Sequence, residues 1–331
     1  MKNTDLKKVA LVGTGFVGMS FAYALMNSGE CDQLVLIDIN KTKAHGEAMD
    51  MNHGLAFAKR NMLIFDGEYC DCHDADIVVI AAGVNQKDGE GRIALLQRNY
   101  EVFKTIIDPI IKSGFEGIFL VATNPVDIMT KITLDLSGFD KKKVIGSGTT
   151  LDTARLRYLL GDYFSIDPRN VHAYVIGEHG DSEIIPWSQA YITTKSVFDV
   201  VEHSKGKFSI EDLNKISRNV TSAAQEIIKA KGATYYGIGM SLVRIVRAIF
   251  GDEKSALTVS VMLNGHYGIN NVYAGLPAII GRNGIEDIIV LDLKNDEKEK
   301  FIKSCLFLKE TASKIKEEHI FWCALLNIFA I

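Results

Sequence analysis

The sequence predicts an α/β protein with a doubly wound parallel sheet, followed by a second domain of the α+β type. Through the first half, short apolar runs rich in Val, Ile and Leu alternate with longer helical segments, which is typical of parallel strands covered by helices. In the second half, long helices are followed by two closely spaced strands. Because 331 residues suffice for about two domains, we predict a first domain over 1–150 and a second over 151–331.

The first half is predicted to contain five strands, each a short apolar run. The strands are expected at residues 8–13, 34–38, 76–81, 117–122 and 144–146. The helices between them are expected at residues 19–28, 41–57 and 92–113. Ligands of a doubly wound sheet bind beyond the carboxyl ends of its strands, so the loops that follow these runs are candidates for a binding site.

The second half is predicted to be richer in helix. Helices are expected at residues 151–161, 211–231, 234–250 and 296–318, and strands at 171–176, 257–263 and 268–276. The sequence has no linker rich in Gly, Ser or Pro between the halves. We therefore expect the two domains to pack tightly against each other.

Composition and charge argue against several classes of protein. The chain has 37 Lys and Arg against 41 Asp and Glu, a formal net charge of -4 that argues against a nucleic-acid partner. The apolar segment 319–331 is shorter than the ~20 residues that cross a membrane, and the N-terminus lacks a signal-peptide pattern. The five cysteines show no disulfide or zinc-site spacing. These features predict a soluble, cytoplasmic protein without membrane or nucleic-acid partners.

A glycine motif follows the first predicted strand. Residues 13–18 read GTGFVG, which places Gly13, Gly15 and Gly18 between a strand and a helix. In a dinucleotide-binding turn, the first glycine permits the tight turn, the second lets the backbone approach a pyrophosphate, and the third lets helix and strand pack closely. Glycine patterns are common, so the strand–helix context is what makes this one specific.

The residues after this turn support the same interpretation, a Rossmann-type domain. The first helical turn, with Phe16 and Val17, offers free N–H groups to phosphates. Asp38 ends the next predicted strand, 20 residues beyond Gly18, where an acid can accept hydrogen bonds from both ribose hydroxyls. A carboxylate there would repel a 2′-phosphate. We therefore predict a site for NAD rather than NADP, with a solvated aspartate as the alternative.

Three polar side chains of the second half can carry proton and anion chemistry. His179 lies between two glycines after a predicted strand, and Asp152 and Arg155 share one helix face. A histidine with a pKa of about 6.5 can protonate the alkoxide left by hydride transfer to a carbonyl, and a carboxylate on its other ring nitrogen fixes the tautomer. Asp152 fits that second position, and Arg155 fits a substrate carboxylate. Each alone is equally consistent with a turn histidine or a surface ion pair.

Two further loops follow predicted strands. Asn124 stands in the motif NPVD at 124–127, at the carboxyl end of the fourth predicted strand. The loop at 83–91 contains glycines and leads into Arg92. Such a loop can swing a guanidinium towards a substrate carbonyl and exclude water. Both residues therefore join the candidate site.

Together these motifs resemble the L-lactate/malate dehydrogenase family, and more closely its bacterial L-lactate dehydrogenases. The resemblance runs from about residue 8 to 308. It includes GVNQKDGEGR at 83–92, GSGTTLDTARLR at 146–157, VHAYVIGEHGDSE at 171–183, KGATYYGIG at 231–239 and LPAIIGRNGI at 276–285. The resemblance implies NAD as cofactor, pyruvate and L-lactate as substrates, and a homotetramer.

The resemblance also implies a role for each candidate residue. His179 is expected to be the proton donor and acceptor, with Asp152 as its partner. Arg155 is expected to anchor the substrate carboxylate, and Arg92 to be the arginine of a mobile loop. Asn124 is expected to contact both cofactor and substrate.

Substrate choice is expected to depend on the loop at 83–91. Family malate dehydrogenases place an arginine where this sequence has Gln86, and it pairs with a second substrate carboxylate. Gln86 is neutral, so oxaloacetate would bury an unpaired charge at a cost of several kcal/mol, whereas the methyl group of pyruvate would fit. Thr234 is expected to line the same pocket. The alternative is that Gln86 is a solvated loop residue.

The resemblance also suggests a second site. Arg157 and His172 match positions that bind fructose 1,6-bisphosphate at a subunit interface in bacterial members. Two such cations facing their symmetry mates would repel each other without an anion, so a phosphorylated effector would stabilise the active tetramer. An ordinary surface arginine and histidine are the alternative.

Other functions remain open at this point. Malate dehydrogenase is opposed by Gln86, and a dehydrogenase for bulkier 2-hydroxy acids would depend on pocket volume. Family 4 glycoside hydrolases share a related NAD-binding fold but use a metal, and His179 with its two partners forms no Cys/His cluster, so no metal is predicted. A binding protein without turnover is opposed by the complete set of chemical positions. The sequence departs from the family at the apolar segment 319–331.

Overall fold

The computed structural model describes residues 6–84 and 92–328, with side chains over 6–84 and 93–314. Within these ranges the chain forms twelve strands and nine α-helices. The strands make one nine-stranded and one three-stranded sheet. Helices alternate with strands through the first half, so the predicted α/β class is confirmed.

Six parallel strands of the first half form most of the large sheet. They are β1 (Lys8–Val12), β2 (Gln33–Ile37), β3 (Leu63–Asp66), β4 (Ile77–Ile80), β5 (Ile118–Val121) and β6 (Val144–Gly146). Their spatial order is β3-β2-β1-β4-β5-β6, so the order reverses between β1 and β4. Ligands of doubly wound sheets bind beyond the strand ends at such a reversal, which is where the glycine turn after β1 lies.

The second half adds a small sheet and then returns to the large one. The small sheet consists of β7 (Val171–His172), β8 (Tyr191–Ile192) and β9 (Lys195–Ser196). The large sheet is extended by antiparallel strands β10 (Ser255–Asn264), β11 (Asn270–Gly281) and β12 (Gly284–Ile288). β10 joins β6 where Ser260 pairs with Gly146. The two halves therefore share one sheet.

Local sequence sets the ends of the helices. They are α1 (Phe16–Ser28), α2 (Lys41–Gly54), α3 (Arg92–Lys112), α4 (Val126–Ser137), α5 (Thr150–Phe164), α6 (Val197–Glu202), α7 (Ile210–Lys231), α8 (Tyr236–Phe250) and α9 (Asn295–Ile328). The side chains of Asn40 and Ser209 accept backbone N–H groups at the starts of α2 and α7. Gly29 ends α1 and Gly232 ends α7, both in the left-handed conformation that favours glycine.

The apolar strands of the large sheet form much of the hydrophobic core. β1, β4 and β5 are buried along their whole length, as expected for parallel strands covered on both faces. A second apolar cluster, which includes Leu156, Val171 and Leu213, lies between α5, β7 and α7. Burial of each such side chain contributes roughly 1.5–3 kcal/mol. The two clusters form the rigid support for the loops at the strand ends.

Most predicted elements agree with the structure within a few residues, and the differences have physical causes. The strand expected at 171–176 is wrong in its length, because β7 ends at His172 and Ile176 makes only an isolated bridge to Ile184. Helix α4 is absent from the prediction, since its Ile and Thr residues are weak helix formers. Strands β3 and β12, both at sheet edges, are also absent from it. Helix α9 continues to Ile328, beyond the expected end at 318.

Two further findings concern membrane-spanning helices and the cysteines. Within the described residues, no helix has both the length and the apolar character needed to cross a bilayer. The described cysteines, Cys31, Cys70, Cys72 and Cys305, are free thiols, as the sequence predicts.

Candidate active site

The predicted catalytic histidine lies in a loop that crosses the edge of the large sheet. His179 follows an isolated bridge between Gly177 and Gly275 of β11. Gly177 has a φ of 91°, a left-handed conformation that favours glycine. Beside it, the backbone N–H of Glu178 donates to Ser304 Oγ of α9 at 2.9 Å. The loop is therefore held by β11 on one side and by α9 on the other.

Asp152 connects the predicted histidine and arginine. Its Oδ2 accepts a hydrogen bond from His179 Nδ1 at 2.6 Å, and its Oδ1 accepts one from Arg155 Nη1 at 2.7 Å. Asp152 and Arg155 lie three residues apart near the start of α5. Because Nδ1 faces Asp152, Nε2 is the ring nitrogen left for a ligand. The side chains of His179 and Arg155 are 23% and 13% exposed, so a small ligand can reach both.

The surroundings of this cluster shift its pKa values. Burial by itself lowers the pKa of His179, but the carboxylate of Asp152, together with the acids Asp127 and Glu183, outweighs burial and raises that pKa to about 9. Burial by itself raises the pKa of Asp152, but His179 and Arg155 outweigh it and hold that pKa below its usual value. At neutral pH, Asp152 is therefore ionised and His179 is protonated. A protonated imidazole with Nε2 free is a proton donor.

Two carboxyl groups near His179, the buried Asp127 and the half-buried Glu183, are not among the predicted site residues. Asp127 is 2% exposed, and its Oδ2 accepts the backbone N–H of His179 at 2.8 Å. Glu183 accepts a hydrogen bond from Thr221 Oγ1 at 2.9 Å. Burial raises the pKa of Asp127 to about 6 and that of Glu183 to about 8. Among the residues described, no three His, Cys, Asp or Glu side chains are arranged to hold a metal ion.

Both acids stand in motifs that the sequence singles out, NPVD and GEHGDSE. An acid among apolar sequence neighbours lies in a segment that is expected to be buried, and a buried acid is usually paired or hydrogen-bonded. This pattern could have marked Asp127, which is followed by Ile and Met, as a site candidate. Glu183, followed by two isoleucines, carries the same signal.

The glycine turn after β1 leaves room where a dinucleotide needs it. Gly13 has a φ of 102°, and a Cβ there would lie 2.6 Å from the backbone nitrogen of Ala82. A Cβ on Gly18 would lie 1.9 Å from the carbonyl oxygen of Gly13, so glycine is what lets α1 approach β1. Gly15 is the N-cap of α1, and a Cβ there would meet open space. A pyrophosphate can approach the backbone at Gly15 and the N-terminus of α1.

Asp38 lies at the carboxyl end of β2, beside this turn. Its Oδ2 accepts from the backbone N–H and the Oγ1–H of Thr14 at 2.7 and 2.9 Å, and its Oδ1 accepts from the backbone N–H of Asn40 at 2.9 Å. Burial by itself raises the pKa of Asp38, but these hydrogen bonds outweigh it and lower that pKa. The ionised, half-buried carboxylate can accept from ribose hydroxyls. With Phe16 and Val17 in the first turn of α1, these residues fit NAD.

Of the other predicted site residues, Asn124 and Thr234 lie between secondary-structure elements. Asn124 follows β5, and its carbonyl oxygen is 3.5 Å from Asn99 Nδ2 of α3. Thr234 lies half-buried between α7 and α8. Arg92 is the first residue of α3, and Gln86 lies outside the described residues.

The residues of the predicted effector site come together between α5 and β7. Arg157 Nε donates to the carbonyl oxygen of Ala173 at 3.1 Å, and its guanidinium lies 5.2 Å from the ring centroid of Tyr174. His172, the neighbour of Ala173 in sequence, is exposed at the end of β7. Burial lowers the pKa of Arg157. An arginine and a histidine therefore occupy neighbouring positions at this surface.

Comparisons with known proteins agree with this geometry. Residues 7–146 match the family model described as lactate/malate dehydrogenase, NAD binding domain. Residues 149–319 match the model described as lactate/malate dehydrogenase, alpha/beta C-terminal domain. The chain is 54% identical over 314 residues to an L-lactate dehydrogenase of Geobacillus sp. (strain WCH70), covering 95% of this chain and 98% of the relative. The L-lactate dehydrogenase of Geobacillus stearothermophilus is 53% identical, with 95% and 99% covered.

Solved structures show the same likeness. A lactate dehydrogenase enzyme from a Medee basin deep-sea metagenome library superposes with a TM-score of 0.92 at 52% identity, covering 96% of this chain and 100% of that one. A minor L-lactate dehydrogenase from Enterococcus mundtii, in a ligands-bound form, superposes with a TM-score of 0.91 at 45% identity, covering 93% and 98%. The resemblance drawn from the sequence motifs is therefore confirmed.

His179 is expected to titrate far above an ordinary histidine. In a 13C-histidine NMR titration, with His179→Asn to assign the resonance, we expect a midpoint near pH 9, because Asp152 stabilises the imidazolium. Asp152→Asn removes that charge and is expected to lower the midpoint by about 1–3 pH units. Asp167→Asn removes an exposed acid paired with Arg169 and is the control that leaves it unchanged. A wild-type midpoint of about 6.5 that Asp152→Asn does not move would contradict the assignment.

Asp38 is expected to select NAD over NADP. Asp38→Ser removes the acceptor for the ribose hydroxyls and the charge that repels a 2′-phosphate. We expect it to weaken NADH binding about tenfold, or about 1.4 kcal/mol, and to strengthen NADPH binding. Fluorescence titration of both nucleotides measures this, with Asp50→Ser on the exposed face of α2 as control. An unchanged ratio of the two affinities in Asp38→Ser would show that another residue discriminates.

Proposed function

Because this chain belongs to the lactate/malate dehydrogenase family, we propose that it catalyses the reversible, NADH-dependent reduction of pyruvate to L-lactate, with His179 as proton donor and acceptor. The chain is an NAD-dependent oxidoreductase, and its curated relatives at 51–54% identity are named L-lactate dehydrogenase. The observation that carries the proposal is the hydrogen-bonded set of His179, Asp152 and Arg155 at the edge of the dinucleotide-binding sheet.

NADH supplies the hydride that reduces the carbonyl carbon of pyruvate. His179 donates the proton from Nε2 to the carbonyl oxygen, since its Nδ1 is engaged by Asp152. As the proton leaves, Asp152 keeps the neutral imidazole in the tautomer with hydrogen on Nδ1. In lactate oxidation the same nitrogen takes the proton back. A pKa of about 9 for His179 in the ligand-free protein favours the reductive direction at neutral pH.

Arg155 is proposed to bind the carboxylate of the substrate. One guanidinium nitrogen is used by Asp152, so other N–H groups of its planar fork remain for two parallel hydrogen bonds. Its attachment to Asp152 limits its freedom before the substrate binds, which lowers the entropic cost of binding. The substrate carbonyl is thereby directed towards His179.

The remaining roles are proposed from position and residue type. Arg92, at the start of α3, polarises the carbonyl when the preceding loop closes. Asn124, beyond β5, contacts both cofactor and substrate, and Thr234 lines the pocket from the second half. We propose that residues 1–150 hold NAD and contribute Arg92, and that residues 151–331 supply the proton-transfer and carboxylate-binding groups. Gly13, Gly15, Gly18 and Asp38 lie in the first range, and His179, Asp152 and Arg155 in the second, which supports this division.

Malate dehydrogenase is the second candidate, and Gln86 argues against it. We expect pyruvate to exceed oxaloacetate by orders of magnitude in kcat/KM, because a second carboxylate would be buried without a cation. Gln86→Arg is expected to shift the preference towards oxaloacetate. Gln189→Arg is the control, because it adds the same charge at a half-buried position where Gln189 donates to the carbonyl oxygen of Asp292. Parallel assays of NADH oxidation with pyruvate, oxaloacetate and 2-oxoisocaproate check this. Comparable kcat/KM for pyruvate and oxaloacetate in the wild type would refute the substrate assignment.

We also propose that the protein is a cytoplasmic homotetramer regulated by fructose 1,6-bisphosphate at Arg157 and His172. Exposed apolar side chains of α1 and α8, among them Tyr23, Tyr236 and Met240, line a cavity of about 960 Å³ and support self-association. Paired cations at a two-fold interface repel until an anion lies between them, so the effector would stabilise the assembly.

Initial rates titrated with the bisphosphate test this regulation. We expect the KM for pyruvate to fall by about 5- to 100-fold, corresponding to a coupling of about 1–3 kcal/mol, and the mass in light scattering to move towards four chains. Arg157→Gln is expected to abolish both effects. Arg169→Gln, which removes a nearby exposed arginine paired with Asp167, is the control. Rates and mass that do not respond between pH 6 and 8 would reject the regulation.

A further inference from the structure

We propose that Tyr235 is a positioning residue that couples the cofactor turn to the substrate pocket. Its ring contacts both Phe16 and Lys231 and fixes the start of α8, beside Thr234 of the proposed pocket. The inference rests on the proposed function, because it concerns how cofactor binding prepares that pocket for the substrate. Tyr235 acts through Thr234 and is not expected to contact the substrate.

The ring of Tyr235 joins the starts of two helices. It stacks on the ring of Phe16, the first residue of α1, with ring centroids 5.3 Å apart and planes inclined by 23°. Tyr235 is the N-cap of α8, so the stack links the first turn of α1 to the first turn of α8. Phe16 directly follows Gly15, where a pyrophosphate can approach the backbone. An aromatic pair of this kind is attractive beyond the apolar area that it buries.

Lys231 holds Tyr235 from the end of α7. Its Nζ lies 3.4 Å from the ring centroid of Tyr235 and 4.2 Å from that of Tyr236, where the ring quadrupole attracts a cation. Contact with Lys231 also lowers the pKa of Tyr235, because the ammonium group stabilises the tyrosinate. Thr234 lies in the short connection 232–235, which this contact closes from one end to the other. A change at Tyr235 is therefore expected to move Thr234.

The first turns of α8 also touch the helices that carry the cofactor turn and the catalytic acid. A Cβ on Gly239 would lie 2.9 Å from the backbone carbonyl carbon of Ser20, so α8 packs directly on the backbone of α1. A Cβ on Gly237 would lie 2.8 Å from Cδ1 of Leu151, the residue before Asp152 in α5. Because close-packed interiors transmit small shifts, the start of α8 can pass a change at α1 to the pocket.

Dinucleotide binding is expected to strengthen the stack. Phe16 is 72% exposed, and the N-cap before it, Gly15, makes no side-chain hydrogen bond. A helix start with free N–H groups is a place where helices fray. A pyrophosphate that accepts these N–H groups fixes the turn, and with it the ring of Phe16. Tyr235 and Thr234 then lose less conformational freedom when the substrate binds, so the cofactor raises the affinity for the substrate.

Two competing explanations are that the stack only stabilises the fold or only builds a subunit contact. Phe139 is a matched control for the first, because it stacks on Phe115 with ring centroids 5.8 Å apart and planes inclined by 13°. These two rings precede β6 and β5, at the opposite end of the parallel strands from the cofactor turn. Light scattering at several protein concentrations separates the second explanation, since a subunit contact depends on concentration.

The experiment uses the full-length protein and begins with wild-type turnover of pyruvate and NADH. Absence of that turnover overturns the proposed function. The coupling ratio is the Kd for NADH without oxamate, an unreactive analogue of pyruvate, divided by the Kd with saturating oxamate. By reciprocity, this ratio equals the factor by which NADH strengthens oxamate binding. The variants are Tyr235→Leu, Tyr235→Phe, Phe16→Leu and Phe139→Leu, each with a thermal melt and a mass from light scattering.

We expect Tyr235→Leu to lower the coupling ratio by about 3- to 10-fold, the range for the loss of an aromatic pair. Phe16→Leu should lower it by a similar factor. The double variant should lower it no further than either single variant, because both changes remove the same contact. Tyr235→Phe keeps the stacked ring and should keep the ratio within twofold. Phe139→Leu should lose comparable thermal stability and also keep the ratio within twofold.

A tyrosine titration without substrate tests the contact with Lys231 whether or not pyruvate is turned over. The absorbance difference between the wild type and Tyr235→Phe isolates one ionisation among 11 tyrosines. Lys231→Gln removes the charge that stabilises the tyrosinate, so the midpoint measured in its background should rise. Lys229→Gln, at an exposed position of the same helix, is the control that leaves the midpoint unchanged. A midpoint that Lys231→Gln does not move would contradict the contact.

Three further results would overturn the inference while the proposed function stands. The first is a Tyr235→Leu protein that turns over pyruvate and has the wild-type coupling ratio. The second is a Phe139→Leu protein whose ratio falls as far as that of Tyr235→Leu, since lost stability would then be the cause. The third is a ratio that Tyr235→Leu regains at protein concentrations that restore the wild-type mass. If Tyr235→Leu does not fold, Phe16→Leu takes its place, because Phe16 is exposed.

Discussion

The close contact between β6 and β10 is the constraint on which the rest of the structure depends. It joins a parallel sheet made by the first half of the chain to antiparallel strands made by the second. The contact exists because Gly146 has no side chain: a Cβ there would lie 2.3 Å from Thr130 Oγ1 and 2.7 Å from Ser260 Cβ. Nearby, Gly148 has a φ of 53°, and a Cβ on it would lie 2.3 Å from the backbone nitrogen of Ser260. Gly146 and Gly148 thus allow β10, from the second half of the chain, to pack closely against the end of the parallel sheet that the first half forms.

Opposite charges pair around His179 in the set of Asp152, Asp127, His179 and Arg155, and Glu178 is a further buried acid that faces Asp127. At neutral pH, Asp152 and Asp127 are negative, whereas His179 and Arg155 are positive. Glu183, with a pKa raised to about 8 by burial, is mostly protonated and adds little charge. Isolated buried charges cost several kcal/mol each, but a neutral, hydrogen-bonded set avoids most of that cost. In the proposed reaction, substrate binding adds one carboxylate, and the proton that His179 gives up leaves with the product.

More of the candidate site than of the local secondary structure could be predicted from the sequence. The glycine turn and the spacing of Asp152 and Arg155 could be predicted because each lies within one short segment, and Asp38 because it stands 20 residues beyond the turn, as in dinucleotide-binding sequences. Asp127 was not predicted as a site residue, because its contact with His179 joins residues that are 52 apart in sequence. Glu183 lies in the same motif as His179, but the motif alone does not reveal the partial burial that raises its pKa. Helix α4 and the edge strands were missed for a related reason: their packing on the sheet decides their conformation more than their own propensity does.

The anchoring of the His179 loop by α9 has a consequence for how the protein is made. The N–H of Glu178 and the hydroxyl of Ser182 both bond to Ser304, and Asp127 is fixed by Ser260, so residues distant in sequence complete one loop. The closest contacts of Gly13 in the glycine turn reach no further along the chain than Ala82, so this turn can form early as the chain leaves the ribosome. The loop that carries His179 cannot be completed until Ser304 of α9 has left the exit tunnel. The cofactor turn and the proton-transfer loop therefore become complete at different stages of synthesis.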